Sequence, residues 1–281
     1  MWSLRSTRVL SSGALVLVAA VLVSCGSGVG DRGHDEAVTW SDEATADVVS
    51  VDSGGGLPPP ERVPERFEAV PDFVLYGDGT AYWQDDDGFR TARLDHDGVA
   101  TVLDWAGEAG LLEPDGVDTG EPEVYDVGAT RYDLNTGSGT QQTVVYAPGF
   151  EGEDVGLNAD EIRARDRIES FRQRLFDLDG ALGDERFLRP EAPLEGQSWE
   201  VLTRPTSAAD DVLSGTEPVW RIDDPAEVGR CRVVSGAAAD RVAREVGSTG
   251  TAQIWAVDGE PWAVVARPLL PGGAAPCPGG G

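Results

Sequence analysis

A short apolar run near the start of the chain, Val9 to Val23, is broken only by Ser11, Ser12 and Gly13. It spans about fifteen residues, whereas a helix needs about 20 to cross the hydrocarbon core of a bilayer. Arg5 and Arg8 precede it as the only charges, so it reads as the apolar part of an export signal and not as a permanent span. No second apolar run of spanning length follows. Everything after it is expected to fold outside the cytoplasm.

The run ends in Leu22-Val23-Ser24-Cys25-Gly26, where small residues flank a cysteine. This resembles the lipobox at which a signal peptidase cuts after lipid joins the thiol. Ser24 is a tolerated variant of the more usual Ala or Gly. The resemblance implies removal of residues 1–24 and a lipid, palmitate among its acyl groups, on Cys25. The expected location is the outer face of the cytoplasmic membrane, with the lipid as anchor.

Residues 1–24 carry two arginines and no acids, so their removal takes the net charge from −28 to −30. The chain has no lysine. Such an acidic protein repels phosphate backbones, which excludes nucleic acid as a partner class.

Cys231 and Cys277 are the other two cysteines. In an oxidising compartment a disulfide between them is the default. A zinc site is the rival, but it needs two more ligands, and His34 and His96 are the only histidines.

From Gly26 to about Arg66 the chain is rich in Gly, Ser, Pro and acids, including Gly54-Gly55-Gly56 and Pro58-Pro59-Pro60. This composition predicts a flexible tether over 25–66. The rest divides into an expected unit over 67–190 and a second over 191–281, with Pro190, Pro193 and Gly196 at the boundary. Strand-like runs flank Asp78-Gly79 and Asp258-Gly259, each a hairpin signal. A third hairpin is expected between Thr130–Leu134 and Gln142–Tyr146, with Gly137 and Gly139 in its loop.

Helices are expected between the hairpins. Val99, Val102, Leu103 and Ala106 recur with helical spacing behind Asp95 as cap, and Gly110 is the stop. Asn158 and Glu161 form a capping box ahead of the stripe Ala164, Ile168, Phe171, Leu175 and Leu178. Arg163, Arg165, Arg167, Arg172 and Arg174 lie largely off that stripe. With Glu161 and Glu169 four residues to either side of Arg165, they read as a solvated, self-paired face. A third helix is expected from Ala237 to Val246, stopped by Gly247. The predicted class is α+β, antiparallel hairpins alternating with helices, in one or two small domains behind the tether.

The chemistry is mostly exclusion. His34 lies in the tether, and His96 stands between Asp95 and Asp97 at a helix start, a poor general base. Without lysine there is no Walker A loop, Schiff base or Ser-Lys dyad. Gly28-Val29-Gly30-Asp31-Arg32-Gly33 matches the dinucleotide fingerprint but lies in the tether, where no strand and helix flank it. Asp85-Asp86-Asp87-Gly88 puts Trp83 and Leu94 at the ends of an EF-hand frame. Asp95-His96-Asp97-Gly98 puts Arg93 first in that frame, though Asp104 fits last. Neither is a proper calcium loop. No metal, cofactor or catalytic set is implied. Tyr82, Trp83, Trp255 and Trp262 are the candidate ligand contacts, as an aromatic platform for a sugar, with sheet packing as the plainer alternative.

Leu75-Tyr76-Gly77-Asp78-Gly79, Gly110-Leu111-Leu112 and Arg267-Pro268-Leu269-Leu270-Pro271 followed by Cys277 resemble a group of uncharacterised exported lipoproteins of actinobacteria. The likeness spans roughly Phe67 to Cys277. It implies pairing of a cysteine before the last helix with one after the Arg-Pro-Leu-Leu-Pro run, here Cys231 with Cys277. It brings no activity with it. The expected function is a non-catalytic binding or scaffold domain at the cell envelope, with an envelope protein or glycan as partner. The alternative is an extracellular hydrolase using paired carboxylates, for which 50 acids supply ample material.

Overall fold

The computed structural model describes residues 38–55, 70–85, 88–152, 155–205, 231–247, 252–257 and 260–273. Strands β1 (Asp47–Gly55), β2 (Phe73–Tyr76), β3 (Thr80–Asp85) and β4 (Gly88–Leu94) lead into helix α1 (His96–Glu108). The hairpin β5 (Gly128–Thr136) and β6 (Gly139–Tyr146) precedes α2 (Ala159–Phe176) and the short α3 (Leu178–Leu182). Then come β7 (Phe187–Pro193), β8 (Trp199–Pro205), β9 (Arg232–Val234), α4 (Ala237–Gly247), β10 (Ala252–Val257) and β11 (Glu260–Pro268). A seven-stranded sheet has the order β6-β5-β1-β2-β3-β4-β7, and a four-stranded sheet the order β10-β11-β8-β9. Every pairing is antiparallel. The fold is therefore α+β with antiparallel sheets, as the alternation of hairpin and helix signals predicts.

Period-two alternation splits the large sheet into two faces. Phe73, Leu75, Ala81, Trp83, Ala92 and Leu94 point to a core shared with Leu103 of α1 and Ile168, Phe171 and Leu175 of α2. Tyr82 and Phe89 point the other way, into a second core with Trp199 and Val201 of β8 and Ala239 and Val242 of α4.

The local signals form as expected. Gly79 turns the β2–β3 hairpin with φ +85°, donating its N–H to the Tyr76 carbonyl at 2.9 Å. Asp78 Oδ1 accepts from the Thr80 N–H at 2.9 Å. Asp95 caps α1 by accepting from the Gly98 N–H at 2.6 Å, and Gly110 follows it with φ +84°. The Asn158–Glu161 capping box is present in both directions. In the last hairpin Trp255 faces Trp262 and Val257 faces Glu260, while Asp258-Gly259 lies outside the described residues.

Three expectations are corrected. The β5–β6 turn is only Gly137-Ser138, because Asn135 and Thr140 pair across the ladder, their side chains hydrogen-bonded at 2.6 Å. Gly139 thus begins β6 and is not in the loop.

The tether prediction over 25–66 fails for its middle. β1 lies between β5 and β2 inside the large sheet, with Val48, Val49 and Val51 no more than 1% exposed. Burying each valine contributes about 1.5–3 kcal/mol. Trp40, partly buried on the same core, donates from Nε1 to the Gly77 carbonyl at 3.4 Å. Val48-Val49-Ser50-Val51 holds only three β-branched residues, and the Gly, Pro and acids on either side dominate the average composition.

Arg165 is the third correction. It is 2% exposed and not on a solvated face. Its guanidinium donates to four backbone carbonyls: Thr119 at 2.6 Å, Tyr146 at 2.8 Å, Gly120 at 3.2 Å and Ala147 at 3.4 Å. The true surface pairs on α2 are Arg163 with Asp160 and Arg172 with Glu169.

Candidate functional site

The platform residues do not come together as a flat aromatic surface. Trp83 is 2% exposed, packed beside Phe73 with ring centroids 6.4 Å apart. Its neighbour Tyr82 points to the opposite face, half-buried, its ring edge-on to Tyr76 at 5.9 Å. Burial first, then the charge of Asp78, pushes the Tyr82 phenol above its usual pKa. Trp255 and Trp262 are cross-strand partners whose side chains lie outside the described residues. Cys25 and Cys277 also lie outside them, whereas Cys231 directly precedes β9, its sulfur 3.2 Å from Glu200 Oε1.

The residues of the Arg-Pro-Leu-Leu-Pro run have structural partners. Arg267 Nε donates to Glu200 Oε2 at 2.6 Å from the facing position on β8. The Leu269 N–H reaches the Ser198 carbonyl at 2.8 Å, and Leu270 packs on the second core. The run thus leaves β11 and crosses the sheet face beside Ser50, Val74 and Tyr76.

A groove of about 730 Å³ opens where β4, the β7–β8 link and α4 meet. Phe89 reaches it from the Tyr82 side of β4. Leu194 is brought beside Phe89 by its N–H, which continues the edge pairing to the Phe89 carbonyl at 2.8 Å. Trp199 meets Phe89 edge-on, centroids 5.3 Å apart. These three make an apolar floor, and Glu195, Asp240 and Arg244 stand around it. The sequence reading missed all three floor residues, since each is a lone apolar residue beside Gly or Pro or at a strand start. Leu194 and Trp199 flank the Pro193–Gly196 break, whereas Phe89 is distant in sequence and joins them only through the β4–β7 edge pairing.

A second cleft, of about 450 Å³, holds two carboxylates, Glu151 and Glu169, with Ser53, Thr130 and Arg172. Glu169 accepts from Arg172 at 2.8 and 3.1 Å and from Gln173 at 3.0 Å. The Arg172 hydrogen bonds drive its pKa below the ordinary carboxylate range. Glu151 accepts from the Gly149 N–H at 2.7 Å. The walls at Ser53 and Thr130 are polar, their hydroxyls 3.1 Å apart. This setting keeps Glu169 ionised, the reverse of what a proton-donating acid needs.

His96 is exposed at the start of α1, its ring 4.6 Å from that of Trp40. Among the described residues no three His, Cys, Asp or Glu side chains gather as metal ligands, and no helix is long and apolar enough to cross a membrane. The chain matches no protein family, no curated protein and no solved structure.

Proposed function

We propose that this chain is a lipid-anchored extracytoplasmic protein, held through Cys25 on the outer face of the cytoplasmic membrane, whose folded part is a non-catalytic binding or scaffold domain. The observation that best supports a binding role is the groove floored by Phe89, Leu194 and Trp199. An apolar floor within a rim of mixed charge is a recognition geometry. Its partner is an envelope polypeptide more readily than a glycan. Sugar rings stack on open aromatic faces, and Phe89 and Trp199 are 8% and 1% exposed. The groove suits an aliphatic side chain with charged neighbours that meet Glu195, Asp240 and Arg244.

The second reading, a hydrolase with paired carboxylates, would use the cleft of Glu151 and Glu169. Glycoside cleavage needs one acid held protonated beside an ionised partner. Arg172 works against this at Glu169, so binding is the favoured reading. A Cys231–Cys277 disulfide fits it as the pin of the segment beyond β11.

Cross-linking in intact cells, read by mass spectrometry, tests the choice. An envelope protein should cross-link beside the groove, and the cross-link should be lost in Leu194→Arg with the melting profile retained. A cross-link indifferent to Leu194→Arg would contradict the groove. Glycoside hydrolysis abolished by Glu169→Gln would establish the rival.

A further inference from the structure

The two edges of the large sheet are treated differently by the sequence. An exposed edge strand offers unpaired N–H and C=O groups to any other chain, and proteins guard such edges with charges, prolines and bulges. The β7 edge has all three: Arg189 and Glu191, Pro190 and Pro193, and register shifts against β4. The β6 edge, Gly139-Thr140-Gln141-Gln142-Thr143-Val144-Val145-Tyr146, has no charge, no proline and an unbroken register with β5.

The direction of the free groups follows from one bond. The Ala147 N–H donates to the Gly128 carbonyl at 2.8 Å. In an antiparallel ladder such bonded pairs alternate with non-bonded ones. The odd-numbered residues of β6 therefore face β5, and the N–H and C=O groups of Thr140, Gln142 and Val144 point outward. Among the described residues no backbone partner meets them. Exposed apolar side chains collect at the same edge. Val144 is 51% exposed, Phe150 just past the strand 42%, and Tyr125 85%. The last sits beside Val124, whose carbonyl takes the Tyr146 hydroxyl at 2.9 Å.

We infer that β6 is the contact surface for a second copy of this chain, paired antiparallel across a two-fold axis so that two large sheets become one. The strand is self-complementary in this arrangement. With Gln142 on the axis, Thr140 of one copy faces Val144 of the other, and the outward groups at these positions meet donor to acceptor. Charge selects the same edge. Two molecules of net charge −28 repel, and an uncharged strand is where they can touch without setting acids side by side. The nearest acid inward is Asp133 on β5, opposite Gln142. Across the joined sheet it lies three strand spacings from its counterpart, about 14 Å. That exceeds the screening length of about 8 Å at physiological salt. This surface is separate from the groove and does not depend on the anchor.

Sedimentation equilibrium of the full chain in detergent tests it. The wild type is expected as a two-chain particle. Gln142→Pro removes an outward N–H and no backbone bond within the sheet, only the exposed side-chain bond from Gln142 to Asp133 at 2.7 Å, so it should yield a folded single chain. Val144→Lys, which sets a charge on the edge, should do the same and decides the matter alone if the proline variant does not fold. A wild type that sediments as one chain at every concentration, or a Val144→Lys variant that remains two-chain, overturns the inference.

Discussion

Arg165 Nε donates to the Thr119 carbonyl at 2.6 Å, joining α2 to a loop 46 residues earlier in the chain. The same guanidinium holds Tyr146 and Ala147, so one side chain ties the α1–β5 connection to the end of β6. The nearest acid is Glu151, at 3.9 Å. The carbonyls, and not an ion pair, supply most of what the buried charge loses in leaving water. Arg165→Met would leave buried carbonyls without donors and should destabilise by about 3 kcal/mol. A urea melt measures this, and amide exchange should rise first in residues 117–122. A loss below about 1 kcal/mol would show that water replaces the guanidinium.

Gly79 sits at φ +85°, and a Cβ there would lie 2.3 Å from the Leu94 carbonyl oxygen. That oxygen belongs to backbone and cannot swing aside as a side chain would. Gly79→Ala should therefore cost more than the about 1 kcal/mol typical of a positive-φ glycine. Thermal melts of the variant beside Gly116→Ala separate the two terms. Gly116 also has positive φ, +71°, but open space around its Cβ. Equal losses at both sites would contradict the close approach.

Two carboxylates should bend the pH dependence of stability in opposite directions. The Glu169 pKa is held below its ordinary 4.5, chiefly by hydrogen bonding from Arg172. As pH falls below 4.5 the unfolded chain takes up this proton first, so stability present above that value is lost. The Asp52 pKa is raised above 3.8, by burial first and against the pull of Arg131. As pH rises through that window the unfolded chain releases the proton first, so stability is lost with rising pH. Glu169→Gln should flatten the acid limb of a denaturation series between pH 2 and 7, and Asp52→Asn should remove the opposing loss. An acid limb unchanged by Glu169→Gln would contradict the assignment.

What was legible in the sequence was local. A cap such as Asp95 or Asn158, and a turn glycine such as Gly79, act within four residues, and each forms as its spacing predicts. β1 was not legible, because Val48-Val49-Ser50-Val51 is short and its partners are Phe73–Tyr76 and Leu134–Gly128, far along the chain. Arg165 misled for a related reason. Glu161 and Glu169 offered plausible helical pairs, and only the tertiary fold brings four carbonyls to the guanidinium. Tyr82 and Trp83 do not share a platform, because adjacent strand residues face opposite sides of a sheet. The groove needed β4, the β7–β8 link and α4 to be placed together before Phe89, Leu194 and Trp199 could be seen as one floor.

The expected Cys231–Cys277 bond predicts a linked pair of peptides in a non-reducing digest, with free thiol at neither site. Reduction should lower the melting temperature of the second sheet, since Cys231 directly precedes β9 and Cys277 follows the segment that crosses Ser50 and Val74. Two alkylatable cysteines in the untreated protein would show that no such bond exists.

Mass spectrometry of the protein extracted from membranes tests the anchor most directly. If Cys25 is the anchor, the mature chain begins at Cys25 and its first peptide carries the added mass of a diacylglyceryl thioether. A Cys25→Ala variant should then be uncleaved or released from the membrane. An unmodified thiol at Cys25, or a mature chain beginning at any other residue, would contradict it.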